Sequence, residues 1–237
     1  MNQKILTQEQ ISSFYHDEFV ADQVRDFGEL VDHHPEDGVV VDIGGGCGFF
    51  ARALSASGGW RTRVIDMDPA SIESCTSIGV EGRIGNALAP AVEGDERVVC
   101  FNLILHHLVG SSESATRSLQ IDALRKWHGR VPTLFVNEYI YQSFLGRLSP
   151  RLIFEITSSR MLSLFASMVA RIVPSFKANT FGVGVRFRSH EDWCEIFEEA
   201  GYKVTKVAIG SPEPIAHPLR LLLIRTIRRD SYRLEPK

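Results

Sequence analysis

An α/β fold around a mainly parallel sheet is what this sequence predicts, and three features predict it. The first is Val39 to Gly48, VVVDIGGGCG: a run of valines, then Asp42, then glycines at 44, 45, 46 and 48. β-branched side chains suit a strand buried on both faces. The glycines let the chain turn tightly and bring bare backbone close to a ligand. The second is rhythm: from Val39 onward short apolar runs alternate with helical patterns, as in a sheet covered by helices on both sides. The third is the end of the chain, where two strand-like segments follow each other with no helix between them, which implies an antiparallel last strand.

Each element has its own signal. Residues 7 to 34 read as one or two amphipathic helices, with Phe14, Phe19, Val20, Val24, Phe27 and Leu30 on one face. After the first strand and its glycines, Phe49 to Ser55 opens a helix. Arg63 to Asp66 is a second strand, and Pro69 starts a helix to about Ser77. Val80 to Ile84 reads as a short third strand and Val98 to Leu105 as a strong fourth. A helix over Ser112 to Trp127 and a fifth strand over Thr133 to Tyr139 follow. Ser143 to Ser175 breaks the alternation with a long helical insertion. Ser189 then caps a helix with Glu191 and Asp192 in its first turn, and Gly201 ends it. Lys203 to Ile209 and Leu219 to Ile227 are the final strands, joined through SPEPIAHP, and Arg225, Arg228, Arg229 and Arg233 read as an exposed edge and tail.

Composition narrows the class. A chain of 237 residues with 44% hydrophobic content is most simply one domain with a full core. It divides into an N-terminal cap (1–36), a ligand-binding half (37–140), an insertion (141–188) and a closing helix with the last strands (189–237). A net charge of −3 argues against nucleic acid. The four cysteines form no CxxC pair and no zinc-like cluster, so reduced thiols in a cytoplasmic protein are expected. The polar start has no signal core, and Met161 to Val173 is too short to span a bilayer and contains Arg171. A soluble protein with a small-molecule partner and no membrane is therefore expected, and a homodimer is left open.

Three signals bear on the ligand. Gly46, Gly48 and Ala51 satisfy a G-x-G-x-x-A dinucleotide pattern. The register from Asp42 fits equally and places a carboxylate beside the ligand, which suits a positively charged one. Asp66 ends the second strand, where a carboxylate accepts hydrogen bonds from ribose hydroxyls. Gly85-Asn86-Ala87 follows the third strand, where a polar side chain meets an adenine amino group.

On VVVDIGGGCG, VIDMDP (64–69), NLILHHL (102–108) and AGYKV (200–204), the chain resembles the class I S-adenosylmethionine-dependent methyltransferases. The resemblance covers nearly everything from Val39 to Ile227. It implies a doubly wound seven-stranded sheet of order 3-2-1-4-5-7-6 with the last strand antiparallel, preceded by a helical cap. It implies S-adenosylmethionine as cofactor, the methionine part held by Asp42, Gly44, Gly46 and Gly48 and the ribose by Asp66. Met67, Asn86 and Ala87 then flank the adenine, with Asn86 where the family usually has aspartate, and Asn102 lies at the cofactor beyond the fourth strand.

Candidates for the chemistry lie at the strand ends. His106 and His107 end the fourth strand and Glu138 the fifth; neutral histidine is a general base near pH 7. Each has an ordinary structural alternative, as a bond to backbone or a neighbouring loop. No cysteine or acid stands at metal-ligand spacing from the histidines, so no metal is expected. In the resembled family segments before the first strand commonly cover the active site, so the resemblance implies that Tyr15 and His16, in the cap, face the transferred methyl. Arg186 and Arg188 are shaped to clamp a carboxylate or phosphate, which points to an anionic or amino-acid-like substrate, methionine among them. The acceptor atom stays open between O, N and thioether S. Two other classes stay open as well: an NAD(P)-dependent oxidoreductase on the same layout, and a non-catalytic module that has kept the pocket.

Overall fold

The computed structural model describes residues 19–32, 34–172 and 180–237. Its centre is a seven-stranded sheet of β1 (Val39–Ile43), β2 (Arg61–Asp66), β3 (Glu81–Ile84), β4 (Glu96–Asn102), β5 (Thr133–Ser143), β6 (Tyr202–Ala208) and β7 (Ile224–Pro236). The order is β3-β2-β1-β4-β5-β7-β6. β1 runs parallel to β2 and β4, β4 to β5 and β2 to β3, while β7 is antiparallel to both β5 and β6. The expected order and the reversed last strand are both present.

Helices cover both faces. α1 (Val20–Leu30) and α2 (Phe49–Gly58) lie on one, where Phe27, Leu30, Phe50 and Leu54 pack on Val40, Val98, Cys100 and Phe135. α3 (Pro69–Ser77) packs beside β2 and β3. α4 (Glu113–Arg125) and α7 (His190–Glu199) lie on the other face, where Leu124, Trp127, Trp193 and Phe197 meet Val41, Val99, Val136 and Tyr232. Local chemistry sets the helix starts. Asp68 accepts from the backbone N–H groups of Ala70 and Ser71, and Ser112 from that of Ala115. Ser189 and Asp192 form a reciprocal capping box at the start of α7.

Buried polar contacts dock α1 on the sheet. Gln23 donates to Asn137, Asn137 to Ser231, and Ser231 to Asp26. The part of the cap N-terminal to Phe19 lies outside the described residues. The insertion forms two helices, α5 (Leu148–Ser158) and α6 (Arg160–Ile172), bent 97° at Ser159. α6 leaves Met161, Leu164, Phe165 and Met168 exposed. Among the described residues no single helix is long and apolar enough to cross a membrane, although the bent pair passes that test of length and composition together.

Three sequence expectations are corrected here. The last strand is not Leu219–Ile227 but Ile224–Pro236. His217–Leu222 instead forms a 3-10 turn with proline at its start, and Leu223 leaves it in a left-handed conformation. Proline has no N–H to give a ladder and suits the first turn of a helix. Consequently Arg228, Arg229 and Arg233 belong to neither edge nor tail. They sit in a strand flanked on both sides, and each has a carboxylate partner: Asp230, Glu213 and Asp32 respectively. β5 also runs four residues past the expected Tyr139, to Ser143, because β7 pairs with it along that length.

Candidate active site

In an open parallel sheet the crevice lies beyond the carboxyl ends of the strands, where strand order reverses, here between β1 and β4. Leaving β1, the chain turns through Gly44, Gly46 and Gly48, all at positive φ, into α2. At Gly44 (φ +68°) a Cβ would collide with Ile104; at Gly46 (φ +54°) it would meet nothing within 4 Å. The turn thus backs onto the segment after β4 at Gly44 and faces open space at Gly46.

Two carboxylates lie beside that turn. Asp42 is buried and accepts from Asn102 Nδ2 at 3.0 Å. Burial pushes its carboxyl up to about 7, with nearby Asp66 adding to the rise and the Asn102 bond opposing it. Asp66, at the end of β2, accepts from the backbone N–H of Gly46 at 3.0 Å and of Asp68 at 2.8 Å. Burial raises its carboxyl too, against the pull of those two N–H groups. Met67 beside it is 39% exposed. Asn86 turns its Oδ1 to the N–H of Leu88 at 2.8 Å, and Ala87 is buried.

After β4 the backbone bends sharply. Leu103 has φ +54°, and its N–H donates to the Asn137 carbonyl at 2.8 Å. A left-handed leucine costs roughly 1–2 kcal/mol, so this corner is held by its surroundings. Among the described residues Asn102 Oδ1 is buried with no hydrogen-bond partner.

The next turn, Leu105–His107, is fastened by Glu138, fully buried at the rim of β5. Its Oε1 accepts from the N–H of Leu105 (2.7 Å) and His106 (3.3 Å). Its Oε2 lies 2.6 Å from His106 Nδ1 and accepts from the Tyr139 N–H at 3.2 Å. His107 lies against His106, ring centroids 4.2 Å apart, and burial keeps it neutral far below the usual histidine range.

The structure brings Asp42, the glycines, Asp66 and Asn102 together, and separately His106, His107 and Glu138. Arg186 and Arg188 share one carboxylate, Glu113, and among the described residues Arg188 Nη2 is buried without a hydrogen-bond partner. Both are 2% exposed; Arg186 Nε pairs with Glu113 at 2.5 Å, and Arg188 with Glu113 at 2.9 Å and Gln120 at 2.7 Å. Burial brings Arg188 down to about 10, with Glu113 opposing the drop. Tyr15 and His16 lie outside the described residues. Sequence reasoning missed Glu113, the partner of both arginines, and missed Leu103 and Ile104. It also missed Phe187, which stacks on Tyr141 at 4.1 Å. Only the positive-φ leucine had no sequence signal at all; Glu113 was visible as an acid in the first turn of a helix.

The fold is that of the class I S-adenosylmethionine-dependent methyltransferases. A possible histamine N-methyltransferase from Thermotoga maritima superposes with a TM-score of 0.60 at 17% identity, covering 97% of this chain and 98% of its own. Geranyl diphosphate C-methyltransferase from Streptomyces coelicolor A3(2), solved with Mg2+, geranyl diphosphate and S-adenosyl-L-homocysteine, gives 0.56 at 10% identity, covering 99% and 90%. The mitomycin 7-O-methyltransferase MmcR gives 0.55 at 14%, covering 93% of this chain but only 54% of its own, so this chain spans about half its length. No family model matches the chain, and no curated protein does.

Proposed function

We propose that the chain is an S-adenosylmethionine-dependent methyltransferase acting on a small molecule by in-line transfer. The observation that carries the reading is the glycine turn with open space at Gly46 and acceptors of spare capacity beside it. Among the described residues Asp42 is an under-bonded buried acid and Asn102 Oδ1 is buried and unpartnered, and Asp66 ends β2 beside the same turn. A ligand carrying an ammonium, a sulfonium and ribose hydroxyls satisfies all three. A nicotinamide dinucleotide would bring a pyrophosphate against a turn walled by two carboxylates, which argues for the cationic ligand.

When bound, the cofactor supplies an electrophilic methyl group. The protein's task is then alignment: an acceptor atom held roughly 3 Å from that methyl in a dry crevice gains several kcal/mol from orientation alone. In this reading Asp42, Asn102 and Asp66 orient the cofactor. Glu138 holds the Leu105–His107 turn at the acceptor side, with His106 facing the acceptor. Isothermal titration with S-adenosylmethionine, S-adenosylhomocysteine and NAD+ tests the assignment. Binding of the first two and not the third is expected; the reverse overturns it.

A further inference from the structure

We propose that the helical insertion seats the protein on an anionic lipid bilayer, with the outer face of α6 lying in the headgroup layer. The first support is the way α6 faces. Met161, Leu164, Phe165 and Met168 recur at the i, i+3, i+4, i+7 spacing of one helix side. That pattern ordinarily marks the side turned to a core, yet all four are more than half exposed and Leu162 is nearly so. The opposite side is small. Ser163 is buried there, donating to the Ile156 carbonyl at 2.7 Å and accepting from the Gly182 N–H at 2.9 Å. Ala166, Ser167 and Ala170 are half-buried on that same side. The helix therefore docks on the protein through its small residues and turns its large apolar ones to water. An exposed apolar stripe of this kind marks a surface that something else covers.

Charge is the second support, and it names the occupant. Residues 143–172 carry four arginines and one acid, Glu155, in a chain whose net charge is −3. Arg147 pairs with Asp192 and Glu195. Arg151, Arg160 and Arg171 are exposed and have no carboxylate partner among the described residues. Arg160 and Arg171 open and close α6 about three turns apart, so both border the apolar stripe along one side. An amphipathic helix with leucine and phenylalanine on one face and arginine at its edge is built to bed into an anionic headgroup layer.

Other occupants fit these residues less well. A second copy packing α6 against α6 would set arginine against arginine, because a two-fold contact uses the same patch on both sides and α6 holds no acid. Insertion across the bilayer fails on length. The 13 residues of α6 reach about 20 Å, against a hydrocarbon core of about 30 Å. The 97° bend between α5 and α6 keeps the two from forming one rod. The expectation of no membrane is thereby amended to contact without crossing.

The test sediments the whole protein with vesicles of phosphatidylcholine alone, or of phosphatidylcholine and phosphatidylserine in equal parts. Partition onto the anionic vesicles is expected to be stronger by roughly tenfold or more, as three arginines near such a surface should make it. The pair Leu164→Glu and Phe165→Glu should weaken it by a similar factor, and so should the pair Arg160→Glu and Arg171→Glu. All four side chains point to water, so thermal unfolding of both double variants should match that of the parent. Leu164→Trp supplies a readout that does not depend on loss: its emission should shift to the blue with the anionic vesicles and not with the neutral ones. No partition onto either vesicle, equal partition onto both, or indifference to either pair of substitutions overturns the proposal. So does a Leu164→Trp emission that the anionic vesicles leave unmoved. A dimer in solution that Leu164→Glu with Phe165→Glu dissociates, in a protein that binds neither vesicle, overturns it as well and gives the face to a second copy.

Discussion

Asp42 and Glu138 are both buried carboxylates on the same rim of the sheet, and they are held in opposite ways. Glu138 accepts three backbone N–H groups and one imidazole. Asp42 accepts from Asn102 alone among the described side chains and has Asp66 nearby. A saturated carboxylate is a strut that fixes the turn it bonds. A buried carboxylate left short of donors is costly unless a ligand completes it. In the proposed reading the cofactor half of the crevice is therefore built unfinished, and the acceptor half is built rigid.

Substitution of the two acids should separate these roles. The Asp42 carboxyl is raised from 3.8 to about 7 in the fold. The folded state then holds its proton more tightly than the unfolded chain, so that stability is present at low pH and is lost as pH rises from about 4 through 7. Asp42→Asn, which cannot ionise, should stabilise the unliganded protein at pH 8 by up to about 4 kcal/mol and change little at pH 4. Denaturant titrations at both pH values check this, and an equal effect at both would break the contrast. Glu138→Ala should act the other way, destabilising by about 3 kcal/mol because buried N–H donors lose their acceptor. A midpoint shift under 1 kcal/mol in the same titration would mean that Glu138 is no strut.

The same division explains what the sequence disclosed. The cofactor half is written in contiguous residues: valines that must be buried, glycines that must turn, Asp66 closing the next strand. The sheet order followed from the resemblance those residues carried. The acceptor half is assembled from segments far apart in the chain, with Glu138 meeting the Leu105–His107 turn and Phe187 meeting Tyr141. Arg186 and Arg188 looked like an anion clamp because nothing local announces that Glu113, at the start of α4, takes both. The last strand was misplaced for a related reason. Its charges resemble solvent-exposed residues until Asp230, Glu213 and Asp32 are seen to neutralise them.

Asp66→Ala probes the unfinished half directly. It should weaken S-adenosylmethionine binding by about 1.5–3 kcal/mol, roughly 10- to 150-fold, as for lost hydrogen bonds to a charged group. Unchanged affinity by isothermal titration would remove Asp66 from the ribose.

The smallest effect sharpens the comparison furthest, because it separates packing from ligand space within one turn. Gly44 and Gly46 are both left-handed, so alanine at either costs roughly 1–2 kcal/mol in backbone strain. At Gly44 the new methyl also strikes Ile104, whereas at Gly46 it meets no protein atom. Gly44→Ala should therefore lower stability more than Gly46→Ala. Gly46→Ala should instead lose more in S-adenosylmethionine affinity than in stability, since its methyl would stand where the cofactor lies. Paired denaturation and titration measurements decide it. If Gly46→Ala bound the cofactor normally, the open space at Gly46 would not be ligand space, and the acids around the turn would need another ligand.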